Sequence, residues 1–133
     1  MNKQLIFRVS LLGLLMAVIT LFISGGIERV LWLLLLILSA YLIAKNAGGK
    51  YFLHGFLTSL VNCVWVTGVH ILFLNTYIQS HAEDFAKMSA MPFSSHPRLM
   101  MLIVGPIIGI ITGLVLGLFS FIASKMMKKP ATV

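Results

Sequence analysis

The residues of this sequence best suited to chemistry lie in an apolar stretch near its middle: Ser59, Asn62, Thr67 and His70. With Ser59 as origin and about 100° per residue, Gly55, Asn62, Cys63 and His70 fall within about 60° of it, with Thr58 and Thr67 on the shoulders. One helical stripe thus carries hydroxyl, amide, thiol and imidazole groups. It must face protein or water, because acyl chains return no hydrogen bonds. The stripe reads either as interhelical hydrogen bonding or as a polar path in which His70 takes up and releases a proton. Against a proton- or ion-coupled carrier stands the expectation that no carboxylate lies within a span: Glu28 reads as a turn residue, Glu83 and Asp84 as loop residues.

A second set, His81, Met88, Met91, His96, Met100 and Met101, combines imidazole with thioether, ligands suited to Cu(I). Methionine recurs throughout the chain, so packing is the competing account, and neither a resident metal nor a cofactor is expected. His54, beside Tyr51, reads as an interface residue. Cys63 is the single cysteine, so no intramolecular disulfide forms. Nucleophile–base pairs, paired carboxylates, phosphate-binding glycine loops and cysteine metal motifs are all missing, and the chain is expected not to be an enzyme.

A third feature is structural. Gly105, Gly109, Gly113 and Gly117 recur every four residues, continued by Ser120 and Ser124. On a helix that spacing drifts only about 40° per step, leaving a groove without side chains that another backbone can approach. The groove is filled by another helix of the chain, expected from the polar stripe, or by a second copy, or else it lines a pore. Pro106 removes the N–H that would pair with Leu102, so a bend is expected there. Leu116 is expected to face outward.

The elements that position these residues follow from composition. Of 133 residues, 59% are hydrophobic and 10% charged, against about 45–50% and 25% in soluble domains. About 20 apolar residues cross a bilayer core. Four segments fit that ruler: roughly 5–23, 27–44, 51–78 and 99–124, with a longer connection over 79–98. The fold class expected is an all-α, four-transmembrane-helix bundle forming a single domain over 1–133. A cleaved signal peptide is the rival reading of the first segment, since Lys3 and Arg8 precede it and Ser24 and Gly26 are small.

The net charge of +7 sits at span ends, which reads as topology and not as nucleic-acid binding. Lys3, Arg8, Lys45, Lys50, Lys125, Lys128 and Lys129 give seven basic residues on one side; Arg29, Lys87 and Arg98 give three on the other. Both termini are therefore expected in the cytoplasm. In the connection, Ser80 and Glu83 form a capping-box pattern ahead of Phe85, Met88 and Met91, a short helix suited to a membrane surface.

The order Gly48-Gly49-Lys50-Tyr51-Phe52, long polar-striped span, outer loop and glycine-rich last span ending in lysines resembles small bacterial four-span membrane proteins of a domain-of-unknown-function type. The resemblance covers roughly the C-terminal two-thirds. It implies a four-helix fold in a bacterial cytoplasmic membrane and brings no activity with it. The leading expectation for function is a non-enzymatic membrane protein acting through helix packing with itself or a larger membrane complex. A small channel or transporter, or copper handling, are the alternatives, and the lipid bilayer is the expected partner.

Overall fold

The computed structural model describes residues 2–23, 26–88 and 96–127, and all regular structure among them is α-helical. α1 (Lys3–Ile19) starts at Asn2, whose side chain accepts the Leu5 N–H at 3.0 Å and so satisfies one free donor of the first turn. α2 (Gly26–Asn46) carries Glu28 in its first turn and Lys45 in its last, each matched in sign to the helix dipole. The turn to α3 (Tyr51–Leu72) uses Gly49 at φ 156° and Lys50 at φ 51°.

The expected third span, 51–78, is interrupted. The chain turns at Phe73 (φ −110°, ψ 40°) before α4 (Leu74–Ser80) and α5 (Ala82–Met88). The 22 residues of α3 already extend about 33 Å, and the polar residues Asn75, Thr76 and Gln79 follow. Ser80 does not cap α5. Its hydroxyl donates to the Leu21 and Thr76 carbonyls, joining α4 to the end of α1. α6 (Pro97–Met127) runs through Pro106 as one helix. Its start takes in Arg98, which sequence spacing places in the loop. Ser24, Gly25, Met91 and the terminal Lys128 and Lys129 lie outside the described residues, as do the side chains of Phe85 and Met88.

Contacts along the chain set the directions. Asn2 meets His54, Gly13 meets Asn62 and Thr20 meets His70, so α1 and α3 run parallel. Phe52 lies against Gly117 and Thr67 against Gly105, so α3 and α6 are antiparallel. Leu5 and Val9 cluster with Ile43 and Ala47, so α1 and α2 are antiparallel as well. The helices therefore alternate in direction, and Asn2 and Met127 share one end of the bundle. α3 packs chiefly between α1 and α6, and α2 closes the ring against α6 and α1.

The interior mixes apolar and small polar residues, and large apolar side chains are widely exposed. Ser10, Thr20, Ser39, Thr58 and Ser120 are fully buried, whereas Phe22, Ile27, Val64, Leu72 and Ile111 stand more than half exposed. Small polar residues fit the interior where the backbones pack closely, beside apolar residues such as Val9, Ile43 and Leu116, and the outward apolar surface is of the kind lipid tails would solvate. Three helices, Gly26–Asn46, Tyr51–Leu72 and Arg98–Met127, are long and apolar enough to cross a membrane, which is compatible with a multi-pass membrane protein. Leu116 departs from the outward placement expected of it: it is fully buried, and its carbonyl lies against Gly55.

Candidate functional site

The polar residues of α3 fall on two neighbouring lines. Gly55, Ser59, Cys63 and Thr67, each four apart, face α6. A Cβ placed on Gly109 would sit 2.8 Å from Cβ of Cys63, one on Gly113 2.9 Å from the Phe56 ring, and one on Gly117 2.8 Å from the Phe52 carbonyl. Gly105 is closed off in the same way by the Thr67 hydroxyl. All four glycines therefore lie against α3 of the same chain.

The closeness lets α3 donors reach α6 carbonyls. Ser59 Oγ lies 3.2 Å from the Gly109 carbonyl and 2.9 Å from Thr112 Oγ1; Cys63 Sγ donates to the Gly105 carbonyl at 2.9 Å. Ser59 and Thr67 thus belong to the α3–α6 seam.

The second line is His54, Thr58, Asn62 and His70, again at multiples of four. His54 is buried and not an interface residue. Its Nδ1–H donates to the Lys50 carbonyl at 2.9 Å, and Nε2 accepts the Asn2 N–H at 3.1 Å. Asn62 packs on Gly13, where any Cβ would collide with its amide. Near the same depth Trp65 Nε1 donates to Ser10 Oγ at 3.2 Å, which accounts for an indole in mid-span.

Among the described residues, three buried polar atoms have no hydrogen-bond partner: Ser39 Oγ, Thr58 Oγ1 and Asn62 Oδ1. The helix register sets their depth along the bundle. Ser39 is one turn from Ile43, and Gly13 one turn from Val9, with which Ile43 clusters; Asn62 touches Gly13, and Thr58 is one turn below Asn62. The three polar atoms, from two helices, thus lie at similar depth along the bundle, within about one turn of each other along its axis.

At the end away from Asn2 the line meets further ionisable side chains. His70 Nε2 is 2.9 Å from Thr20 Oγ1, which also lies 3.1 Å from the Ala17 carbonyl. The Tyr77 ring stacks on His70 on one side and on His81 on the other, each at 4.1 Å between centroids. Residues seven apart on an unbroken helix are about 10.5 Å apart along its axis, so the turn at Phe73 helps to close His70 on Tyr77. His81 Nε2 then meets Glu28 Oε2 at 2.7 Å.

This cluster changes two sequence readings. Glu28 is a residue of the first turn of α2, within a helix able to span, and not a turn residue. His81 is buried and committed to Glu28 and the Tyr77 carbonyl, which removes it from the external copper-ligand set. Met100 is buried too, while His96 is exposed.

Sequence spacing also overlooked Asn2, Thr20, Ser39 and Tyr77 as members of the polar line. Their one local signal is a hydroxyl, amide or phenol at the edge or in the middle of an apolar run. No family model, curated protein or solved structure matches the chain.

Proposed function

We propose that the chain is a four-span membrane protein that passes protons or a small polar solute along the buried line from His54 through Thr58 and Asn62 to His70. The carrying observation is that the buried Ser39, Thr58 and Asn62 oxygens, at similar depth along the bundle, are unpartnered among the described residues. A buried polar group without a partner costs several kcal/mol in lipid. Packing alone would be served better by alanine or valine at those positions. Oxygens directed into the bundle without protein partners are suited to a species that passes.

Two further points support the reading. α1 accompanies α3 from His54 to His70, and Phe7, Leu11, Leu15, Val18 and Phe22 form an exposed apolar stripe along it, as a fourth span requires. The glycine face of α6, the surface best suited to association with another copy or a membrane complex, is occupied by α3. Lys3, Arg8, Lys45, Lys50 and Lys125 share the end that carries Asn2 and Met127, which we assign to the cytoplasmic side of a bacterial membrane.

The test is flux into proteoliposomes, read by a trapped pH dye for protons and by osmotic swelling for a panel of small polar solutes. Wild-type protein is expected to conduct at least one of these, and Asn62→Leu to abolish it. Vesicles with wild-type protein no more permeable than empty ones would refute the proposal.

A further inference from the structure

Glu28 and His81 occupy the end of the bundle opposite Asn2, and their geometry restricts where protons can be. His81 is 3% exposed, and both its ring nitrogens face oxygen. Nδ1 is 3.0 Å from the Tyr77 backbone carbonyl, which only accepts, so Nδ1 carries a hydrogen in every state with this geometry. Nε2 faces Glu28 Oε2 at 2.7 Å, a separation that requires one proton between the two atoms. Either the carboxylic acid donates to a neutral imidazole, or an imidazolium donates to the carboxylate. With no proton there, a nitrogen lone pair would face a carboxylate; with two, donor would face donor.

The surroundings give the site a direction. The Glu28 side chain is 17% exposed and that of His81 1%, so water reaches the carboxylate and not the imidazole. Behind His81 lies the Tyr77 ring, whose face attracts a cation, and behind that ring lies His70. Among the described residues, the titratable groups that meet this cluster are Glu28 from α2, His70 from α3 and Tyr77 from α4; Arg29 and Glu83, near Glu28 and His81 in sequence, are exposed. α1 contributes Thr20 and the Leu21 carbonyl there; its charged residues, Lys3 and Arg8, lie toward the other end.

We propose that Glu28 and His81 form a proton-loading site, and that the species moved along the polar line is the proton. Glu28 takes a proton from water before it closes on His81 to 2.7 Å, the arrangement that already holds that proton. Its O–H bond then breaks as the Nε2–H bond of His81 forms, leaving a carboxylate paired with an imidazolium that rests on Tyr77. His70, on the other face of that ring, is the next basic group toward the interior. This inference rests on the conducting role proposed above.

The experiment compares wild type, Glu28→Gln and Glu28→Asp in proteoliposomes holding a pH dye, with a potassium gradient and valinomycin setting the potential. Glutamine keeps a hydrogen bond to Nε2 but cannot take up a proton. Proton flux is expected to fall about a hundredfold in Glu28→Gln, the lower end of what a positioned proton-transfer group contributes, and to be partly retained in Glu28→Asp. In detergent, the 15N resonance of His81 Nε2 is expected to carry the signature of a proton shared with Glu28 in wild type and to lose it in Glu28→Gln. Undiminished proton flux in Glu28→Gln overturns the loading site while the conducting role stands. Passage of a polar solute without protons overturns the proton as cargo, again with conduction intact. No flux of any species removes the conducting role, and an Nε2 resonance indifferent to Glu28→Gln then removes the shared proton as well.

Discussion

Glycine-to-alanine substitution at two positions of α3 should have opposite effects. At Gly55 a Cβ would sit 2.7 Å from the Leu116 carbonyl oxygen, 2.7 Å from Ser120 Oγ and 2.8 Å from Cα of Gly117. Ordinary contacts begin near 3.4 Å. Two of the three obstructing atoms are backbone and cannot rotate away, and Ser120 is held by the Leu116 carbonyl at 2.7 Å. The helices must therefore separate by roughly half an ångström, stretching the Ser59 and Cys63 hydrogen bonds to α6, where overpacking typically costs about 1–3 kcal/mol.

Alanine returns up to about 1 kcal/mol of helix propensity. The rigid obstruction places Gly55→Ala at the upper end of the overpacking range, so a net loss of about 2 kcal/mol is expected. At Gly68 nothing lies within 4 Å of the added carbon, so the propensity gain stands alone and the variant should match or exceed wild type by up to about 1 kcal/mol. Reversible unfolding in mixed micelles with increasing denaturing detergent, followed by helical circular dichroism, measures both. Equal stabilities for Gly55→Ala and Gly68→Ala would refute the close approach of α3 and α6.

Gly13→Ala meets the Asn62 amide, which can swing aside; a loss below that of Gly55→Ala, with altered flux in the proteoliposome assay, is expected. Lys50 holds φ 51° without a side-chain cap, and Lys50→Gly should raise stability by a few tenths of a kcal/mol, because relief of left-handed strain slightly exceeds the added chain entropy. Trp65→Phe removes the hydrogen bond to Ser10 while keeping most of the ring; about 0.6 kcal/mol should be lost in the same unfolding titration. His54→Leu leaves the Asn2 N–H without its partner and the Lys50 carbonyl without its side-chain donor, and should cost about 1–3 kcal/mol and increase amide hydrogen exchange at the start of α1.

The spacing of small residues along the last helix was readable because a four-residue repeat is a property of one helix, whatever lies beside it. The polar stripe of α3 was readable only as a stripe. Ser59 and Asn62 are separated by about 60° on the helix, an arc too narrow to show that one belongs to the α6 seam and the other to the α1 side. Leu116 shows the same limit: a leucine in an apolar helix has no signature for inside or outside when lipid and core are equally apolar.

The composition of the chain determined that its helices expose apolar surface, since a lipid-like solvent requires internally satisfied backbone, while the break at Phe73 and the inclusion of Arg98 in the last helix were left to the structure. Tertiary structure decided which polar groups meet. Glu28 and His81 lie 53 residues apart, and Thr20 and His70 50 apart. No local propensity encodes such pairs; they depend on the helix directions, on the turn at Phe73 and on which face each helix gives its neighbour. The physical reason is range: hydropathy and helix periodicity act within a few turns, whereas the chemistry of this bundle lies between helices.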